Sequence, residues 1–157
     1  MKISGINPET GEKFQAEADG INTAFIQSMS DFEISEAGIK KMIDNLDISA
    51  DAKSILHSLS TITIRAGEFI LKIGRKLIDF VCSVFKDFPT ASFGMVFGAI
   101  VGFLISSIPI IGAVLGSVVT PVLIALGLLA GAYEDIKDKN LSRKITEINA
   151  KFSALNT

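Results

Sequence analysis

A catalytic chain needs a proton carrier, a nucleophile or a metal ligand, and this one offers few. His57 is the only histidine and Cys82 the only cysteine. One cysteine excludes an intramolecular disulfide and a CxxC redox or metal site. Its place in an apolar run marks Cys82 as a small buried hydrophobe rather than a reactive thiol. His57 lies on the flank of a helical segment, where a surface or interface role fits better than a general base. Asp79 is the one acid in the apolar end of that segment. Arg75, Lys76 and Ser83 share its face, so a solvated ion pair is expected. No Ser/His/Asp set, no GxxxxGK[ST] phosphate loop and no carboxylate pair in apolar surroundings can be assembled. The expectation is a non-enzyme with no metal and no cofactor.

The residues that could act are apolar. Residues 88–133 form 46 consecutive positions without charge, in a chain with 15 basic and 17 acidic side chains. Apolar residues make up 48% of the chain and mean hydropathy is +0.46. Ser106, Ser107 and Pro109 supply the turn of a helical hairpin, because the residue before a proline avoids the helical region. The two arms, 90–107 and 110–133, hold 18 and 24 residues, near the ~20 that cross a ~30 Å hydrocarbon core. Pro121 is expected to kink the second arm. Gly94, Gly98 and Gly102 fall on one helix face, and the pairs Gly112 and Gly116, then Gly127 and Gly131, repeat the spacing. Each glycine costs about 1 kcal/mol in a helix in water. In lipid, a glycine face lets a second helix approach closely. These glycines are therefore read as packing grooves, between the arms or between copies of the chain.

Other elements must position that hairpin. In residues 53–88, apolar side chains recur at Ile55, Leu59, Ile62, Ala66, Phe69, Ile73, Leu77, Phe80 and Val84. The mean step is the period of a straight α-helix rather than of a coiled coil. Arg65, Lys72, Arg75, Lys76 and Lys86 lie opposite, with Glu68, Asp79 and Ser83. One long amphipathic helix is expected, with the β-branched stretch "STITI" at 60–64 as its weak point. Residues 1–52 read as a small acidic soluble part. It starts with an irregular or hairpin segment around "NPETGE", followed by a short helix over 22–29. A second helix has Ser35 as N-cap and a stripe of Ile39, Met42, Ile43 and Leu46. Residues 134–157 give a C-terminal amphipathic helix through Leu141, Ile145, Ile148 and Phe152. The expected fold class is all-α, with residues 89–133 as a hydrophobic transmembrane hairpin.

Charge is segregated along the chain. The first 56 residues hold five Lys and ten Asp or Glu, a net of −5, against an overall net of −2. With no basic excess, nucleic acid is not an expected partner. The N-terminus lacks the apolar core of a signal peptide, so synthesis in the cytoplasm and a membrane location are expected. Lys72, Arg75, Lys76 and Lys86 precede the hairpin, and Lys137, Lys139, Arg143 and Lys144 follow it. Both termini are then expected on the side of synthesis, with the uncharged turn crossing.

An uncharged helical hairpin followed by one short charged amphipathic helix resembles the membrane-inserting end of pore-forming colicins. The glycine-rich run closed by "AYEDIKDK" is also similar to the hydrophobic region of RTX cytolysins. The likeness covers residues 88–155. It implies a toxin- or effector-like protein whose hairpin enters a lipid bilayer, self-assembles and permeabilises it. The colicin pore domain is longer than this chain and shelters its hairpin in a larger helical shell. Solubility before insertion would then come from oligomers, a partner or a carrier. Expected partners are the bilayer, further copies of the chain and a protein bound by the acidic N-terminal part. Arg65, Lys72, Arg75, Lys76 and Lys86 would meet anionic headgroups. Three arrangements remain open: a two-span membrane protein, a conditionally inserting one, and a soluble bundle that buries the hairpin. A different functional class, a non-catalytic membrane subunit anchoring a larger complex, fits the same residues.

Overall fold

The computed structural model describes residues 1–7, 10–30, 35–88, 93–125 and 139–155. Its elements are β1 (Lys2–Ile6), β2 (Lys13–Glu17), α1 (Thr23–Ser30), α2 (Glu36–Asp44), α3 (Ala50–Ser60), β3 (Ile64–Ala66), β4 (Phe69–Leu71), α4 (Ile73–Asp87), α5 (Phe93–Ser107), α6 (Pro109–Ala125) and α7 (Lys139–Lys151). A 3₁₀ turn at Ser153–Leu155 follows α7.

Strand and helix signals compete after Ser60, and strand wins. Ile62, Ile64 and Ala66 are buried while Thr63 and Arg65 are exposed, the period of two that belongs to a half-buried strand. The β-branched run at Thr61 to Ile64 disfavours helix. Gly67 then reverses the chain at φ +60°, and Glu68 keeps a negative φ, as in a type II′ hairpin with glycine at its first central position. Ala66 pairs with Phe69 and Ile64 with Leu71. The long helix expected over 53–88 is therefore two helices, α3 and α4, separated by a β-hairpin.

That hairpin finds a partner far away in sequence. β1 pairs antiparallel with β2 on one side and with β3 on the other, giving a four-stranded sheet in the order β2-β1-β3-β4. The all-α expectation is thus overturned: the described residues form a mixed α/β fold. β1, from the N-terminal segment, and β3 share one sheet.

The helix starts follow local chemistry. Asn22 Oδ1 accepts from the Phe25 amide at 2.9 Å, Ser35 Oγ from Gly38 at 3.0 Å and Ser49 Oγ from Ala52 at 3.1 Å. Each satisfies one of the amides that a first turn leaves unpaired. The expected stripe of α2 is seated with Ile39 and Ile43 buried and Met42 and Leu46 packed against the core. In α7, Leu141, Ile145 and Ile148 are buried, and Phe152 just beyond it is fully enclosed.

The two uncharged helices occupy the middle. α5 packs against α4, α6 and α7, while α6 packs against α3, α5, β1 and β2. Gly5 makes the last contact possible, because a Cβ there would run into the Val114 side chain. The Asn7 amide also donates to the Ala113 carbonyl at 3.5 Å. One further close approach sits at the start of α4, where Gly74 N donates to the Ile62 carbonyl at 3.1 Å. Phe85, Phe93 and Phe97 link α4 to α5 in sequence, with ring centroids 6.0 and 5.9 Å apart. One connected apolar cluster runs from Ile3 to Leu155.

The transmembrane hairpin is corrected at the same point. No helix among the described residues is long and apolar enough to cross a membrane. α5 has 15 residues and α6 has 17, about 23 and 26 Å at 1.5 Å per residue. Residues 126–133 of the expected second arm lie outside the described residues.

Candidate functional site

The α5–α6 pair turns on a single residue. Ser106 and Ser107 belong to the last turn of α5, Pro109 opens α6, and Ile108 alone connects them. Pro109 suits the first helical position, where its missing amide would have had no partner. Ser106 Oγ folds back to donate to the Gly102 and Phe103 carbonyls at 2.9 and 3.1 Å. The corner is tight: a Cβ on Gly112 would stand 2.6 Å from the Ile105 carbonyl oxygen. Of the other glycines, Gly98 is buried and Gly94 and Gly102 are half-buried. Gly116 faces open space, with nothing within 4 Å of an added Cβ. Gly127 and Gly131 lie outside the described residues.

The inner faces of the pair are what a protein core requires. Val96, Phe97, Ile100, Val101 and Leu104 of α5 are buried, as are Ile110, Ile111, Val114, Leu115 and Val119 of α6. The outer faces are unusual. Phe103, Ser106, Pro109, Thr120, Pro121 and Ile124 are exposed, and no charged side chain stands among them. Phe103 is 46% and Ile124 70% accessible. A buried helix in a water-soluble domain has no reason to exclude charge from its wet positions.

The basic residues of the expected membrane-facing stripe are split by the β-hairpin. Arg65 stands on β3, Lys72 precedes α4, and Arg75, Lys76 and Lys86 lie on α4. Lys76 and Lys151 each place Nζ 5.0 Å from the centroid of the Phe80 ring, a cation–π geometry. Phe80 meets Phe152 edge-to-face at 5.7 Å, which ties α7 to α4.

Three titratable groups, His57, Asp79 and Cys82, sit within or against the packed helices. His57 Nε2 lies 2.9 Å from Asp44 Oδ1, joining α3 to the end of α2. Cys82 is buried, and burial, aided by the nearby Asp79 charge, pushes its thiol up to about 11. Burial also raises the Asp79 carboxyl above the usual range, against the pull of Lys76 and Lys86. An acid with a raised folded pKa destabilises the fold when ionised, and the penalty disappears as pH falls through that folded value. Asp79→Asn is therefore expected to raise the melting temperature at neutral pH, with the gain shrinking toward zero in acid. A gain that is constant with pH would show that Asp79 ionisation carries no penalty. Among the described residues no cluster of three or more His, Cys, Asp or Glu is placed for a metal.

Sequence reasoning missed the open face of the sheet. Ser4, Ile6, Lys13, Gln15, Arg65 and Ile70, with the segment 61–63, line a cavity of about 610 Å³. The alternation in "KFQAE" and "ITIRA" was the available signal, because it places Lys13, Gln15 and Arg65 on the side away from the core.

Fold and site together define an α/β protein built around an uncharged helical pair. No known protein family matches the chain, and no characterised protein or solved structure matches it.

Proposed function

We propose that the protein is membrane-active and that the α5–α6 pair is the part that enters and permeabilises lipid. The observation that carries this reading is the absence of charge on the wet faces of both helices, at Phe103, Ser106, Pro109, Thr120, Pro121 and Ile124. Moving apolar side chains from a protein interior into lipid costs little, because acyl chains are as apolar as Leu. Moving a charge costs several kcal/mol, and here there is none to move. The folded form is then the sheltered state of a conditionally inserting protein. When the pair leaves, the apolar faces of α3, α4 and α7 are exposed, and as amphipathic helices they can settle at the lipid interface.

Separation of the pair from its shell would put two uncharged helices into lipid at once, which supports permeabilisation of the bilayer. Release of a trapped dye from anionic vesicles tests the reading. Dose-dependent release at low protein-to-lipid ratio is expected. Retention of the dye by vesicles that nevertheless bind the protein would overturn it in favour of a membrane anchor.

A further inference from the structure

The solvent side of the sheet is neither a covered face nor an ordinary polar one. Ser4 pairs with Gln15 on one side and with Arg65 on the other, Arg65 pairs with Ile70, and Ile6 pairs with Lys13. Two cations thus flank the central strand β1, two strand spacings and two residues apart, about 12 Å by the usual sheet geometry. Neither carries an ion pair among the described residues. Lys2 and Glu17, which oppose each other across β1 and β2, balance one another on the same face. The face is therefore locally basic within an N-terminal half whose first 56 residues are net −5.

The same surface is unusually apolar. Among the described residues of this face, Ile6 is 53% and Ile70 52% accessible. A small hydrophilic anion would engage Lys13 and Arg65 but would gain nothing from two exposed isoleucines. An anionic bilayer uses both, since phosphates and carboxylates attract the cations while apolar side chains reach the acyl boundary. The acidic remainder of the N-terminal half would be repelled by such a surface, which orients the sheet toward it.

We propose that the open sheet face is the docking surface for an anionic bilayer, with Lys13 and Arg65 on headgroups and Ile6 and Ile70 at the acyl boundary. This inference rests on the membrane activity proposed above and adds where first contact is made. Arg65 acts there with Lys13 rather than with the α4 cations.

Sedimentation with phosphatidylserine-containing vesicles, measured separately from dye release, tests it. Lys13→Gln with Arg65→Gln should weaken binding about 30-fold at low salt, from roughly two lost surface cations, and flatten the salt dependence. Ile6→Ser with Ile70→Ser should weaken it further, while Lys13→Arg with Arg65→Lys should bind like the parent. All these side chains are accessible, so the fold is expected to survive each change. Equal binding by the parent and the Lys13/Arg65 double Gln variant would overturn the docking face even if both release dye. Displacement of the parent by glycerol 3-phosphate in solution would reassign the cavity to a small phosphate ligand and overturn the bilayer. Charge-dependent binding without dye release would support the docking face while sinking permeabilisation.

Discussion

Gly5→Cys combined with Val114→Cys, in a Cys82→Ala background, is expected to silence dye release until reductant is added. A Cβ built on Gly5 lies 3.6 Å from the Val114 Cβ, inside the 3.5–4.5 Å range that a disulfide requires. Replacing Val114 also removes the methyl group that a side chain at position 5 would strike. The bond would tie α6 to β1 and close a loop of over one hundred residues, worth up to about 4.7 kcal/mol in the chain-entropy account. Vesicle binding should persist, because the tie is on the inner side of the sheet and docking uses the outer side. Release should fall at least tenfold, by order of magnitude, once separation of the pair has to work against that staple. It should return when the disulfide is reduced. If the oxidised form releases dye as fast as the reduced form, separation of α6 from the sheet plays no part in the activity.

Gly74→Ala is expected to cost about 3 kcal/mol of folding stability, at the upper end of overpacking effects. The added Cβ would collide with the Leu59 carbonyl oxygen, and the Leu59 carbonyl carbon and Ile62 oxygen stand 3.0 and 3.3 Å away. These are backbone atoms, which cannot swing aside as a side chain does. Relief would have to come from separating α3 and α4, whose contact holds Leu59, Leu77 and Ile73 in the core. The Gly74 amide bond to Ile62 would go with it. Gly116→Ala supplies the opposite sign, since no atom lies within 4 Å of its Cβ and alanine gains about 1 kcal/mol over glycine in a helix. Urea unfolding checks both. A Gly74→Ala protein as stable as the parent would mean that α3 and α4 do not approach as described. If the shell restrains the uncharged pair, the same substitution should also hasten dye release.

The elements legible in the sequence are those whose cause is local. Ser35 and Ser49 cap their helices through amides three residues away, and the Ile39–Ile43 and Leu141–Ile145–Ile148 stripes repeat within single helices. The break at Pro109 needs only the proline ring and its neighbour. Ile62 and Ala66, by contrast, satisfy a helical period and a strand period at once. Strand is selected by hydrogen bonds to β1, some sixty residues earlier, a pairing that no local window contains. That choice divides the long helix and moves Arg65 from the α4 face to Lys13.

The apolar run was equally plain as sequence and equally silent about its surroundings. Hydropathy requires residues 93–125 to avoid water, and lipid or protein meets that demand alike. Among the amphipathic helices, α4 and α7 pack on α5, and α3 packs on α6. The sheet supplies the missing wall. It does so because Gly5 lacks a side chain where Val114 crosses β1, and a glycine at the start of a chain carries no mark of the residue it will meet more than a hundred positions later.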